Sequence, residues 1–136
     1  MEQIIWTEKL KTGIVQIDDQ HQSIIILINK LIEIEFNHIL EKIETDAILT
    51  ELIEYSINHF KEEERLMQEI EYPLLEEHQG EHYIFKYKIA MFCKSASDSN
   101  KTITQEMLLF LKNWFINHIT NSDMKINTHL QSHPKN

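Results

Sequence analysis

The chain predicts an all-α protein: an up-down four-helix bundle with an extended N-terminal arm and a short C-terminal helix. Three observations carry this. The 136 residues hold only two glycines and two prolines, too few for a sheet built on tight turns. Apolar side chains recur at steps of three and four along four stretches of about twenty residues. Short polar links join those stretches, as in an up-down bundle.

Residues 1–18 predict a non-helical arm. Its apolar residues Ile4, Ile5, Trp6 and Leu10 are scattered, and Gly13 interrupts. Trp6 is expected to anchor the arm against the bundle. The first helix is expected over about 19–37, capped by Asp18 or Asp19, with His21, Ile24, Ile28 and Leu31 on one stripe. The second is expected over about 46–69, opened by Thr45 or Asp46, with Leu52, His59, Glu63 and Leu66 inward. Tyr72-Pro73 marks a new start, since proline suits a first helical turn. The third helix, about 73–95, carries Leu75, His78, His82, Phe85 and Ile89 on its stripe. The polar run SASDSNK at 95–101 breaks it. Thr102 with Gln105 has the form of a capping box for a fourth helix whose stripe is Leu108, Leu111, Phe115 and His118. The bundle thus spans about 19–123, and 124–136 forms a C-terminal segment with a last short helix at about 124–131. By length the whole is one domain, 1–136.

Composition excludes several partners. Acidic residues outnumber basic ones by 22 to 13, a net charge of −9. That charge disfavours a nucleic-acid backbone and an anionic membrane surface. The longest apolar run, residues 24–28, is far below a membrane span. The start MEQIIWTEKL lacks the form of a signal peptide. Cys93 is the only cysteine, so no internal disulfide forms, which fits a cytoplasmic protein.

The histidines carry the chemistry. His21, His59, His78, His82 and His118 all fall in register with an apolar stripe and therefore point inward, with Glu63 and Asp123 beside them. Residues four apart on a helix differ by about 40° in azimuth, so His59 and Glu63 share a site, as do His78 and His82. His118 and Asp123 are five apart, about 140° round a regular helix. Both reach one site only if the helix end loosens or a π-type turn intervenes, so a distortion is expected near 119–123. A single inward histidine is usually a core residue with a hydrogen-bond partner. Five imidazoles and two carboxylates buried without metal would bear a large desolvation penalty. Seven ligands exceed the needs of one tetrahedral ion, and a structural zinc would leave three unused. The mixture of imidazole and hard oxygen fits two iron ions bridged by Glu63 and Asp123.

Trp6, GIVQIDDQH at 13–21, HFKEE at 59–63, YPLLEEHQGEH at 72–82 and WFINHITNSD at 114–123 together resemble the hemerythrin family, in its bacterial single-domain form. The likeness runs from the arm to the fourth helix. It implies that His78, His82 and His118 hold one iron, that His21 and His59 hold the other, and that Glu63, Asp123 and an oxo or hydroxo bridge join them. Six donors then surround the first iron and five the second, leaving one position for dioxygen. The implied activity is reversible dioxygen binding, for storage, delivery or sensing. The alternative is a di-iron enzyme acting on peroxide, nitric oxide or ferrous iron. The helical Glu-x-x-His pairs of carboxylate-rich di-iron sites are missing from the ligand positions, which favours carriage over oxygenation. A separate protein partner and the oligomeric state are left open.

Phe60, Trp114, Phe115 and Ile119 flank ligands and are candidate walls of a dioxygen pocket. The family usually has leucine where this chain has Phe115, so the pocket is expected to be narrower. Among the remaining features, His38, His129 and His133 are expected at the surface, KEEER at 61–65 as a solvated face apart from Glu63, and Cys93 as a buried small side chain. Gly80 is either a point of close approach or an open surface position.

Overall fold

A computed structural model of the chain describes residues 1–37, 42–98 and 103–132. Its helices are α1 (Val15–Asn37), α2 (Lys42–Glu69), α3 (Leu75–Asp98), α4 (Gln105–His118) and α5 (Met124–Ser132). A short 3₁₀ turn, Glu8–Leu10, lies in the arm, and a π-turn, Ile119–Asp123, joins α4 to α5. α1 packs on α2 and α4, α2 on α3, and α3 on α4, closing the four-helix ring. His38, Thr102 and His133 lie outside the described residues.

Several helix ends differ from the sequence expectation, each for a local reason. α1 begins at Val15 rather than 19, so the arm is shorter than predicted and includes one 3₁₀ turn. Asp18 caps it from inside the helix by reaching back. Its Oδ1 accepts from the Thr12 amide at 2.8 Å and the Thr12 hydroxyl at 2.7 Å, and its Oδ2 from the Gly13 amide at 3.1 Å. Gly13 has φ +88°, and a β-carbon there would meet Asn127 Nδ2 at 2.6 Å. α2 begins at Lys42, which places Thr45 and Asp46 within the helix and not at its cap. The apolar stripe starts later than the helix because Ile43 in its first turn is exposed. α3 continues to Asp98, because Ala96 stays buried and prolongs the inward face. Thr104, not Thr102, caps α4 by accepting from the Met107 amide at 3.2 Å.

α2 ends in a Schellman arrangement. The Tyr72 amide bonds the Met67 carbonyl at 2.8 Å and the Glu71 amide bonds the Gln68 carbonyl at 3.2 Å. Glu71 takes the left-handed conformation, φ +54°, that glycine usually fills. Tyr72 and Met67 then pack together, as the motif favours.

Two apolar clusters fill the bundle. The larger includes Ile24, Ile28, Leu52, Phe60, Phe85 and Leu111. The smaller is built on Met67, Tyr72 and Ile126. Burying one such large side chain contributes about 1.5–3 kcal/mol. Inward polar residues lie between the clusters along α2, along α3 and from α4 to α5. Along α2 the order is Phe60, Glu63, Met67; along α3 it is Leu75, His78, His82, Phe85. From α4 to α5 it is Ile119, Asp123, Ile126.

The arm closes over the larger cluster. Ile4 and Leu10 are buried in it, and Trp6 packs against it half-buried, as expected. Asn29 treats Ile4 as a paired backbone, accepting from its amide at 2.7 Å and donating to its carbonyl at 2.9 Å. Lys112 on α4 donates to the Glu2 carbonyl at 2.5 Å. Among the described residues no helix is long and apolar enough to cross a membrane.

Candidate metal centre

The seven predicted side chains meet between the two clusters, and all are buried. α1 supplies His21, α2 His59 and Glu63, α3 His78 and His82, and α4 His118. Asp123 comes from the last residue of the π-turn. The wider turn absorbs the five-residue spacing that would carry Asp123 away from His118 on a regular helix.

The side chains divide into two overlapping sets. The donor atoms of His78, His82, His118 and Glu63 lie within 4.8 Å of one another, as do those of His21, His59, Glu63 and Asp123. Glu63 Oε1 faces His78, His82 and His118 at 2.6, 3.1 and 3.6 Å. Its Oε2 faces His59 at 3.2 Å and His21 at 3.9 Å. Asp123 divides in the same sense, with Oδ1 at 3.0 Å from both His78 and His118 and Oδ2 at 2.9 Å from His21. The imidazoles also approach each other through their Nε2 atoms. His21 and His59 are 3.1 Å apart, and His82 and His118 are 3.2 Å apart.

These contacts suit ligands sharing an ion. Donors cis to one another on an ion at about 2.1 Å stand about 3.0 Å apart. Among the described residues, the buried side-chain polar atoms with no hydrogen-bond partner are His21 Nδ1, Glu63 Oε2 and both Asp123 oxygens. All belong to this cluster. Short contacts that lack hydrogen-bond direction leave these oxygens available to a cation, and leaving them bare would be costly. The residues present therefore fit a pair of metal ions.

Electrostatics in the metal-free cluster follow from the same contacts. Burial works against charge on His78, but Asp123 and Glu63 outweigh it and push its pKa up to about 9. Burial likewise opposes charge on His118, which Asp123, Glu63 and Glu81 hold well above the usual histidine value. Burial would raise Glu63, yet His59, His118 and His78 bring it well below the carboxylate range. Asp123 is also lowered: burial and Glu63 push it up, and His118 and His21 prevail.

Further residues orient the imidazoles. His82 Nδ1 donates to Glu64 at 2.8 Å, and Glu64 also accepts from the Gln79 amide at 3.2 Å. His118 Nδ1 donates to Glu81 at 2.9 Å, and Glu81 accepts from the Ser122 hydroxyl at 2.6 Å. The His118 contact holds the Glu81 carboxyl below its usual range against partial burial. On the other side His59 Nδ1 donates to the Gln20 side-chain oxygen at 2.5 Å, and the Gln20 amide donates to Glu62. Sequence reasoning missed Gln20, Glu62, Glu64 and Glu81. KEEER is thus not merely a solvated face, because Glu62 and Glu64 both serve the centre. The adjacency of Glu64 to Glu63, and of Glu81 to His82, was the available signal.

The proposed pocket residues are packed together. Phe60, Phe115 and Ile119 are buried, and Trp114 is half-buried against the same cluster. Phe60 stacks on His82 with centroids 4.0 Å apart, and Trp114 stacks on His118 at 4.4 Å. Phe60 also lies 5.8 Å from the His59 ring, so it spans both sets. Phe115 lies 5.2 Å from Phe85 and 6.3 Å from Phe60. A surface cleft of about 240 Å³ reaches Gln20, Glu62 and Glu63, and another of about 230 Å³ reaches His78 and Glu81. Gly80 faces open space. His129 is not fully exposed as expected but half-buried, edge-on to Tyr72 at 5.4 Å. Cys93 is half-buried against the larger cluster, and burial pushes its thiol up.

A bundle whose interior holds imidazoles from four helices around two shared carboxylates defines a class, and comparison with known proteins agrees. The family model for the hemerythrin HHE cation binding domain matches residues 12–130, and the chain belongs to the hemerythrin family. A bacteriohemerythrin of Clostridium acetobutylicum is 33% identical over 122 residues, 88% of this chain and 95% of the relative. A bacteriohemerythrin of Stenotrophomonas maltophilia is 28% identical over 130 residues, 96% of this chain and 83% of the relative. The crystal structure of a wild-type hemerythrin matches with TM-score 0.83 and 28% identity, covering 95% of this chain and 98% of that one.

Proposed function

We propose that the chain binds dioxygen reversibly at a non-haem di-iron centre, for storage, delivery or sensing, with His21, His59, Glu63, His78, His82, His118 and Asp123 as its ligands. The observation that carries this reading is the division of both carboxylates between three imidazoles on one side and two on the other. With an oxo or hydroxo bridge, the three-histidine side would offer six donors and the two-histidine side five. The ions, when bound, supply two electrons and one open coordination position. All else is the work of the side chains. His21 and His59 hold the half left open, Gln20 fixes the orientation of His59, and neutral imidazoles keep the ligand charge low. Phe60, Phe115 and Ile119, with Trp114 on the His118 side, give the centre an apolar wall. A dry surround withholds outside protons and limits side reactions.

The reading is of a binding protein and not of an enzyme. It takes residues 1–136 as one domain, of an arm, a bundle and a C-terminal segment, in the cytoplasm. Anaerobic loading with ferrous iron, metal counting and optical spectra across cycles of air and vacuum test it. Two irons per chain and a reversible peroxide-to-iron absorption band are expected. One ion per chain, or a band that never reverses, would overturn it.

A further inference from the structure

The two halves of the centre are backed differently. On the three-histidine side, His82 and His118 each donate their Nδ1 proton to a carboxylate, Glu64 at 2.8 Å and Glu81 at 2.9 Å. On the two-histidine side, His59 donates to the neutral amide oxygen of Gln20, and His21 Nδ1 is buried with no partner. A carboxylate behind an imidazole raises its basicity and fixes its tautomer, and an amide does so less. Both carboxylates are themselves held, Glu64 by Gln79 and Glu81 by Ser122.

We infer that Glu64 and Glu81 are positioning residues that make the three-histidine half the tighter, first-filled half, so that the centre assembles in a fixed order. This rests on the two-ion reading above. The reason is additive. The first half has one more imidazole, and two anions behind its ligands offset the charge of an entering divalent ion. The second half meets that charge with a neutral amide and an unbacked ring, and only after its neighbour is filled. Gln20 is the point at which the asymmetry can be reversed, since a glutamate there would face His59 as Glu64 faces His82.

The full metal-free chain titrated anaerobically with Co²⁺ tests this, read by binding isotherm and by the hyperfine-shifted exchangeable imidazole protons. Two steps are expected, the first at least about tenfold tighter, with the shifted imidazole signals of three histidines at one equivalent. Glu64→Gln and Glu81→Gln should each weaken the first step by about 10–100-fold and leave the second nearly unmoved. Gln20→Glu combined with Glu62→Gln, which replaces the carboxylate that would oppose it by a donor, should tighten the second step alone. Melting curves of the metal-free variants separate loss of backing from loss of fold. Binding of fewer than two ions would overturn the di-iron reading itself. Two ions that bind with equal affinity, or glutamine variants that weaken the second step, would overturn only the order of assembly.

Discussion

Asp123 Oδ2 lies 2.9 Å from His21 Nε2, a contact that ties the end of the π-turn after α4 to α1. It exists because the π-turn Ile119–Asp123 carries one more residue than a regular helical turn needs. Without the exposed Asn121, His118 and the aspartate would stand four apart, about 40° in azimuth on a regular helix. Deleting Asn121 is therefore expected to keep the aspartate inward and both ions bound. Asp123→Ala is expected to cost at least one ion. Metal counting on the two variants checks the contrast, and loss of metal on deletion would count against it.

Phe115 fills space that a leucine would leave open, against Phe60, Phe85 and Trp114. Phe115→Leu should raise both the association and the dissociation rate of dioxygen, at a stability cost of about 1–2 kcal/mol. Stopped-flow mixing measures both rates; identical values in the two proteins would remove the idea.

The raised pKa of His78, about 9, makes metal loading depend on pH. Ligation needs the neutral ring, so loading near neutral pH should release protons, and apparent affinity should rise until the pH passes about 9. For the metal-free chain the sign is opposite. The folded value exceeds the unfolded value of about 6.5, so the contact of charged His78 with its carboxylates stabilises fully below that pH. The benefit is lost as pH climbs through about 9. Glu63 and Asp123 are lowered, so their contribution is present above about pH 4 and fades as pH falls below it. Denaturant titrations of metal-free protein from acid to alkaline pH read both limbs.

Two backbone positions should respond oppositely to exchange of glycine. Glu71 occupies the left-handed region, at a cost of about 1–2 kcal/mol to an ordinary side chain. Glu71→Gly should stabilise by up to about 1 kcal/mol, after the greater freedom of glycine in the unfolded chain is subtracted. Gly13→Ala should destabilise by about 1–2 kcal/mol, because φ +88° is retained. Thermal melts of the two variants should move in opposite directions.

The candidate ligand positions and the π-turn were legible because each is a matter of helical phase. A histidine in step with leucines has only one direction to point. Five-residue spacing between two inward residues forces a wider turn. Glu62, Glu64, Glu81 and Gln20 were not legible because they sit at the flank of the stripe, partly in water, where periodicity carries no information. Only the partner across the helix interface distinguishes Glu64 from an ordinary surface glutamate. Helix starts were misplaced for a related reason. Asp18 caps from within α1, and the first turn of α2 shows an exposed Ile43, so neither start coincides with the start of the apolar pattern.

The polar layer between the clusters has a consequence for the empty protein. Oil on either side is separated by a slab of imidazole and carboxylate, and the lesser drop, under Met67, Tyr72 and Ile126, is too small to hold a helix end unaided. A bound metal pair would then be mortar as well as cargo: in the metal-free chain, amide hydrogens of α5 should exchange long before those around Leu52 and Leu111.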